Sequence, residues 1–318
     1  MNETILKKLA KPMLVCAPLI WGSTFFMIKD ALDDMDGMFM LAFRFSLAAL
    51  LLAAVFWRRW KDMDLAYLWQ GAVLGLLMGA AYILQTFGLM GTTPGKNAFF
   101  TAVYCVIVPF LYWAVDRKRP TRWNVLAALL SVTGIGLVSW DGGGLALALG
   151  DVLTLAAGFF LACHIIAVTK FSEGRDIFLL TILQFAMIAL MCWVGTSFTR
   201  GVPTNGLPAS VWWVLLYLAV AATALALLFQ NVGQKYTDPA SAALLLSLEA
   251  PFGVMFSVLF GAEEPTPLMY LGFCVIFLAM VCSETQFRFL RRSGKREKRR
   301  VSPALSDQSL FHVAKYAG

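Results

Sequence analysis

Charge is scarce in this chain of 318 residues: Asp, Glu, Lys and Arg make up 14% of it, against roughly 25% in soluble domains. That scarcity excludes a soluble enzyme, a disordered hub and a nucleic-acid-binding domain. Histidine is rarer still, with only His164 and His312, which is too few for a histidine-based metal cluster. No Cys-x-x-Cys occurs. The six cysteines (Cys16, Cys105, Cys163, Cys192, Cys274, Cys282) all lie inside apolar runs and read as small buried hydrophobes, neither a disulfide framework nor a metal site. A phosphate loop is missing too. Residues 91–97, GTTPGKN, imitate one but are a residue short and end in Asn where Ser or Thr is needed. No nucleophile–histidine–acid set is apparent. The expectation is a protein that uses no ATP, metal or cofactor.

Long apolar runs are what the chain has in abundance. Hydrophobic residues make up 59% and the mean hydropathy is +0.72. A helix crossing a bilayer needs about 20 apolar residues. The runs predict an all-α integral membrane protein with ten transmembrane helices, near 13–31, 37–57, 67–89, 97–115, 123–140, 151–170, 177–197, 211–231, 239–260 and 268–287. The first run follows Lys7, Lys8 and Lys11 but has no small-x-small cleavage site, so it reads as a span and not as a signal peptide. With the N-terminus cytoplasmic, inner segments hold 22 Lys and Arg and outer loops hold two, Lys96 and Arg200. The positive-inside rule therefore places both termini in the cytoplasm and the protein in the cell membrane. Residues 1–12 are then a cytoplasmic N-terminus, and Asp33, Asp34, Asp36, Glu263 and Glu264 face outward. Residues 288–300 carry eight cations and one acid, so the net charge of +7 belongs to one tail. Directly after an apolar span, this basic tail (288–318) is expected to be disordered and to lie on anionic lipids, with no nucleic-acid partner.

The two halves of the chain resemble each other. RFSLAAL at 44–50 aligns with QFAMIAL at 184–190, QTFG at 85–88 with QNVG at 230–233, and PF at 109–110 with PF at 251–252. The matches keep their order at a nearly constant offset. Five spans is an odd number, so the second copy (151–287) enters the membrane from the side opposite to the first (13–140). Such an inverted repeat is common in secondary transporters, with the substrate site near the midplane between the halves.

The chain resembles the drug/metabolite transporter superfamily, specifically the EamA-type exporters. The resemblance is carried by WGSTF at 21–25, Arg44-Phe45, the stretch from Gly88 to Pro109 with Asn97-Ala98 opening span 4, and LEAP at 248–251 followed by Gly261-Ala-Glu263. It covers about residues 13–287. It implies ten spans, a central cavity shared by the repeats and ATP-independent export of small metabolites, typically amino acids or amphipathic compounds. Span 6 departs from the pattern, with LACHI at 161–165 where span 1 has WGSTF.

Ionisable groups inside hydrocarbon are costly and are functional candidates for that reason. Glu249 lies near mid-depth of span 9, two residues before Pro251, whose ring displaces the Ser247 carbonyl. It reads either as a substrate or proton site or as the structural partner of a basic group, for which Arg44 is the candidate. Arg44 could instead meet a substrate carboxylate. His164 reads as a proton relay or as a hydrogen-bonded packing residue. Polar Thr24, Gln85, Asn97, Thr101 and Gln230 and aromatic Trp21, Phe25, Tyr82 and Tyr104 complete the cavity candidates, and Pro109 and Pro251 are candidate gating hinges. The start of span 4 at Lys96-Asn97 offers free backbone donors to an anionic group. Gly71, Gly75 and Gly79 make a flat stripe for close helix packing. The rival readings are a membrane-embedded lipid-modifying enzyme, which needs catalytic residues clustered at one interface, and a channel, which needs polar stripes along whole helices. A small-molecule substrate is expected, and homodimerisation is left open.

Overall fold

The computed structural model describes residues 3–117, 119–140, 147–203 and 206–285, and the basic tail falls outside them. The elements are helical, in the order α1 (Glu3–Gly22), α2 (Thr24–Asp34), α3 (Gly37–Val55), a 3-10 turn (Trp57–Asp62), α4 (Leu65–Met90), α5 (Pro94–Ala102), α6 (Tyr104–Asp116) and α7 (Arg122–Val138). The second half follows with α8 (Leu149–Phe171), α9 (Ile177–Thr196), α10 (Ala209–Tyr217), a π segment (Leu218–Leu225), α11 (Ala226–Lys235), α12 (Pro239–Leu246), α13 (Glu249–Leu259) and α14 (Pro267–Thr285). Short polar side chains start the helices. Asp36, Asp64, Thr93, Asp176 and Asp238 each accept a hydrogen bond from a backbone N–H of the first turn, satisfying donors that have no partner within the helix.

Among the described residues, eight helical stretches are long and apolar enough to cross a membrane. The other two expected spans appear as shorter apolar helices, Arg122–Val138 and Pro267–Ser283. At a rise of about 1.5 Å per residue, the first of these reaches only about 25 Å, less than the roughly 30 Å hydrocarbon core. Eight of the ten expected spans thus meet the length and composition criterion among the described residues, and α7 and α14 match the other two in position. Residues 3–12 form the first turns of α1, with Lys7 and Glu3 paired one turn apart at 3.2 Å.

Three of the long stretches break near their middles. Between α1 and α2, the Ser23 and Thr24 hydroxyls donate to the carbonyls of Ile20 and Trp21, both at 2.7 Å, competing with the backbone ladder. Between α12 and α13, Pro251 has no N–H for the Ser247 carbonyl, which Ala250 N–H takes at 3.1 Å in a tightened turn. Between α5 and α6, the chain tightens in the same way at Val103, whose carbonyl accepts from Val106 N–H at 2.9 Å.

Glycines set how closely α4 meets its neighbours. A Cβ at Gly71 would lie 2.4 Å from Leu183 Cβ, and one at Gly75 would lie 2.5 Å from Met187 Cβ, so α4 and α9 touch almost backbone to backbone. The constant spacing of these contacts shows that the two helices run parallel. Their shared starting end is tied reciprocally. Arg59, just before α4, pairs with the α9 cap Asp176 and lies 4.4 Å from the Phe178 ring centroid. Arg175, just before α9, pairs with the α4 cap Asp64 at 2.5 Å and lies 4.8 Å from the Tyr67 ring centroid. The Arg175 guanidinium, through its hydrogen bond, holds the Asp64 carboxyl below its usual range. Lys170 pairs with Asp116 at 2.5 Å.

Candidate functional site

The helix breaks surround one partly open cavity. On α4 its lining runs from Met78 through Tyr82, Gln85 and Thr86 to Leu89, the half of that helix away from the Arg–Asp pairs. Trp21, Thr24, Phe25 and Ile28 line it from the α1–α2 break, Asn97 and Tyr104 from either side of the α5–α6 break, and Leu246 and Glu249 from either side of the α12–α13 break. Arg44 enters from α3, Leu161 and Ile165 from α8, and Gln230 from α11. Broken helices put side chains and turned carbonyls at depths where a straight helix would present only its ladder.

Polar contacts fix most of these groups. Trp21 Nε1 donates to the Ala222 carbonyl at 2.8 Å, and Gln85 Nε2 donates to Thr101 Oγ1 at 3.0 Å. Asn97 Nδ2 donates to Thr154 Oγ1 at 2.8 Å, leaving its buried Oδ1 without a hydrogen-bond partner. The Tyr104 hydroxyl approaches the Glu249 carboxyl, while Glu249 Oε1 is buried with no hydrogen-bond partner. Arg44, 2% exposed, donates from Nε to Thr223 Oγ1 at 2.8 Å. Its guanidinium carbon lies 5.2 Å from the Tyr82 ring centroid and 5.5 Å from that of Phe45.

Several expectations change here. Arg44 and Glu249 share the cavity, but no ion pair joins them among the described residues: Arg44 is turned to the π segment and Glu249 to Tyr104. Thr101 stands behind the cavity wall as the acceptor for Gln85. His164 does not line the cavity. It is fully buried and its Nε2 lies 3.2 Å from Gln184 Oε1, which ties α8 to α9. The free donors expected at the start of span 4 are occupied: Gly95 N–H donates to Glu263 Oε2 at 2.7 Å and Thr93 Oγ1 to Glu263 Oε1 at 2.5 Å. Pro251 lies in the first turn of α13, at the break it helps to make, whereas Pro109 lies inside α6, beyond the break at Val103. Thr223 escaped the sequence reading because no local pattern marks a π turn. Ile28, Met78, Leu161, Ile165 and Leu246 escaped because apolar wall residues look like any others in a span.

A family model described as the EamA-like transporter family matches residues 9–140 and again 148–284. The chain belongs to the EamA-like transporter family. This EamA protein is 32% identical over 269 residues to an uncharacterized transporter of Archaeoglobus fulgidus, covering 84% of this chain and 83% of that one. It is 20% identical over 302 residues to a biotin transporter of Salmonella typhimurium (93% and 99% covered). A probable biotin transporter of Pseudomonas aeruginosa is 25% identical over 299 residues (90% and 99% covered). One crystal structure superposes with a TM-score of 0.65 at 15% identity, covering 89% of this chain and 99% of that chain, a likeness of fold. The EamA protein is thus a multi-pass membrane transporter of small molecules, not an enzyme.

Proposed function

We propose that this EamA protein is an ATP-independent secondary carrier that exports small amphipathic metabolites or amino acids across the cell membrane by alternating access. The observation that carries the reading is the cavity itself. It buries a guanidinium and a carboxyl without pairing them, beside aromatic faces and an amide oxygen with no partner. Burying charge unpaired is costly, and a cargo with complementary groups would offset that cost. The two family matches, 9–140 and 148–284, support reading the halves as repeats. Ten crossings, with α7 and α14 as the short ones, would make those repeats inverted and both termini cytoplasmic. The Arg–Asp pairs then close the cytoplasmic end, and the cavity occupies the outer half. Pro251, at the α12–α13 break, and Pro109 are the hinges of the change between states. The relatives named for biotin make biotin the first cargo to try.

Counter-flow in proteoliposomes tests this. A carrier loaded with unlabelled cargo accumulates labelled cargo transiently against its gradient, with no ATP. A channel shows no such overshoot, and chemical alteration of the cargo would point to an enzyme. Either result refutes the proposal.

A further inference from the structure

We propose that Arg44 is the carboxylate-binding subsite of the cavity, and that Thr223, on the π turn of the opposite half, is the positioning residue that aims it. The proposal rests on the carrier reading and deepens it to a substrate class: small molecules with a planar carboxylate.

Arg44 is almost completely buried. Among the described residues no carboxylate lies within ion-pair distance of it, and Nε is the guanidinium nitrogen that finds a protein acceptor. The two terminal nitrogens therefore remain as a fork. That fork matches the two oxygens of a carboxylate end-on, a geometry a lysine cannot reproduce. Tyr82 and Phe45 flank the guanidinium and restrict where a ligand can reach it, and Tyr82 is itself part of the lining. The orientation is fixed by Thr223. Its hydroxyl accepts from Arg44 Nε at 2.8 Å and donates to the Leu218 carbonyl at 2.7 Å, five residues back. A five-residue reach is the register of the π segment, and single π turns recur at functional sites. In an ordinary α-helix that hydroxyl would bond three or four residues back and would stand elsewhere. The Ala222 carbonyl, just before Thr223 in the same segment, receives the Trp21 indole N–H, so the π segment anchors two cavity residues.

The test measures binding of acid–amide pairs (biotin and biotinamide, phenylacetate and phenylacetamide, butyrate and butyramide) to the full chain in detergent by microscale thermophoresis. We expect the acid of at least one pair to bind about tenfold or more tighter than its amide, the scale of a charge-assisted hydrogen bond. Arg44→Gln should bring that ratio to about one. Thr223→Val and Thr223→Ala should reduce it severalfold, while Thr223→Ser, which keeps the hydroxyl, retains it. Arg44→Lys, which keeps the charge but not the fork, should reduce it as Thr223→Val does. A merely structural Thr223 would shift acid and amide alike. Equal binding of acid and amide across the panel, or binding of neither, overturns the subsite. An unchanged ratio in folded Thr223→Val or Thr223→Ala overturns the positioning role. Counter-flow on the same preparations separates the two readings: an acid preference without exchange refutes the carrier alone, and exchange without an acid preference refutes the subsite alone.

Discussion

Substituting Gly75 by Ala sets two opposite effects against each other on one helix. Helix propensity alone favours alanine over glycine by roughly 0.5–1 kcal/mol. The structure opposes it. The new methyl would sit 2.5 Å from Met187 Cβ and 2.8 Å from the Gln184 carbonyl oxygen. Both atoms are close to the α9 backbone and cannot swing aside, so α4 and α9 must part by several tenths of an ångström. Overpacking of this kind costs about 1–3 kcal/mol, so the net is a loss of up to about 2.5 kcal/mol, worth a few degrees of thermal midpoint. Gly79 supplies the control. It lies on the same stripe, but its nearest neighbours would be Met191 Sδ at 3.1 Å and Cε at 3.3 Å, the far end of a flexible side chain. Gly79→Ala should leave stability unchanged or raise it. The assay is the thermal midpoint of the purified protein in detergent, followed by the loss of the monodisperse size-exclusion peak. Gly75→Ala as stable as Gly79→Ala would refute the claim that backbone proximity, and not glycine content, defines this crossing. Because α4 also carries Tyr82 and Gln85, the Gly75 variant should weaken cargo exchange as well.

Glu249→Gln should cut exchange about tenfold or more while holding or raising the thermal midpoint, since it removes a buried carboxyl with an unpartnered oxygen; undiminished exchange would refute a cargo or proton role. Reversing both charges in Arg44→Glu with Glu249→Arg should rescue neither single variant, because the two are not paired; a coupling energy above about 1 kcal/mol in the double-mutant cycle would contradict this. His164→Asn should leave the pH profile of exchange unchanged, because that ring hydrogen-bonds Gln184 away from the cavity; a flattened profile would restore it as a relay. The Asp64–Arg175 pair predicts a pH effect of definite sign. Its carboxyl is held below its usual range by the Arg175 hydrogen bond, so its stabilisation is present above the ordinary carboxylate value near pH 4 and is lost as pH falls through the depressed value. Asp64→Asn should remove that part of the acid-induced fall in thermal midpoint, measured between pH 3 and 7, and an identical fall in the variant would argue against it.

The all-helical membrane character was legible in the chain because hydrocarbon demands long apolar runs, a property of local composition. Helix starts obey a similarly local rule, since Asp or Thr before an apolar run satisfies donors within its own first turn, although the caps were identified only in the structure. The glycine stripe of α4 announced a close crossing, but only the packing named α9 as its partner and separated the rigid contact at Gly75 from the yielding one at Gly79. Depth along a helix brought Arg44 and Glu249 to one level and suggested a pair. Depth says nothing about azimuth, and the folded chain turned them toward Thr223 and Tyr104 instead. His164 and Thr101 were as polar and as deep as their neighbours, and rotation about the helix axis kept them from the cavity wall. Sequence by itself determined which segments are helices fit for lipid and which buried groups need partners, because those follow from local chemistry. Tertiary structure alone decided which partners they have. The π turn, the three breaks and the facing of each helix depend on contacts between residues as much as 201 positions apart, and no local pattern encodes them.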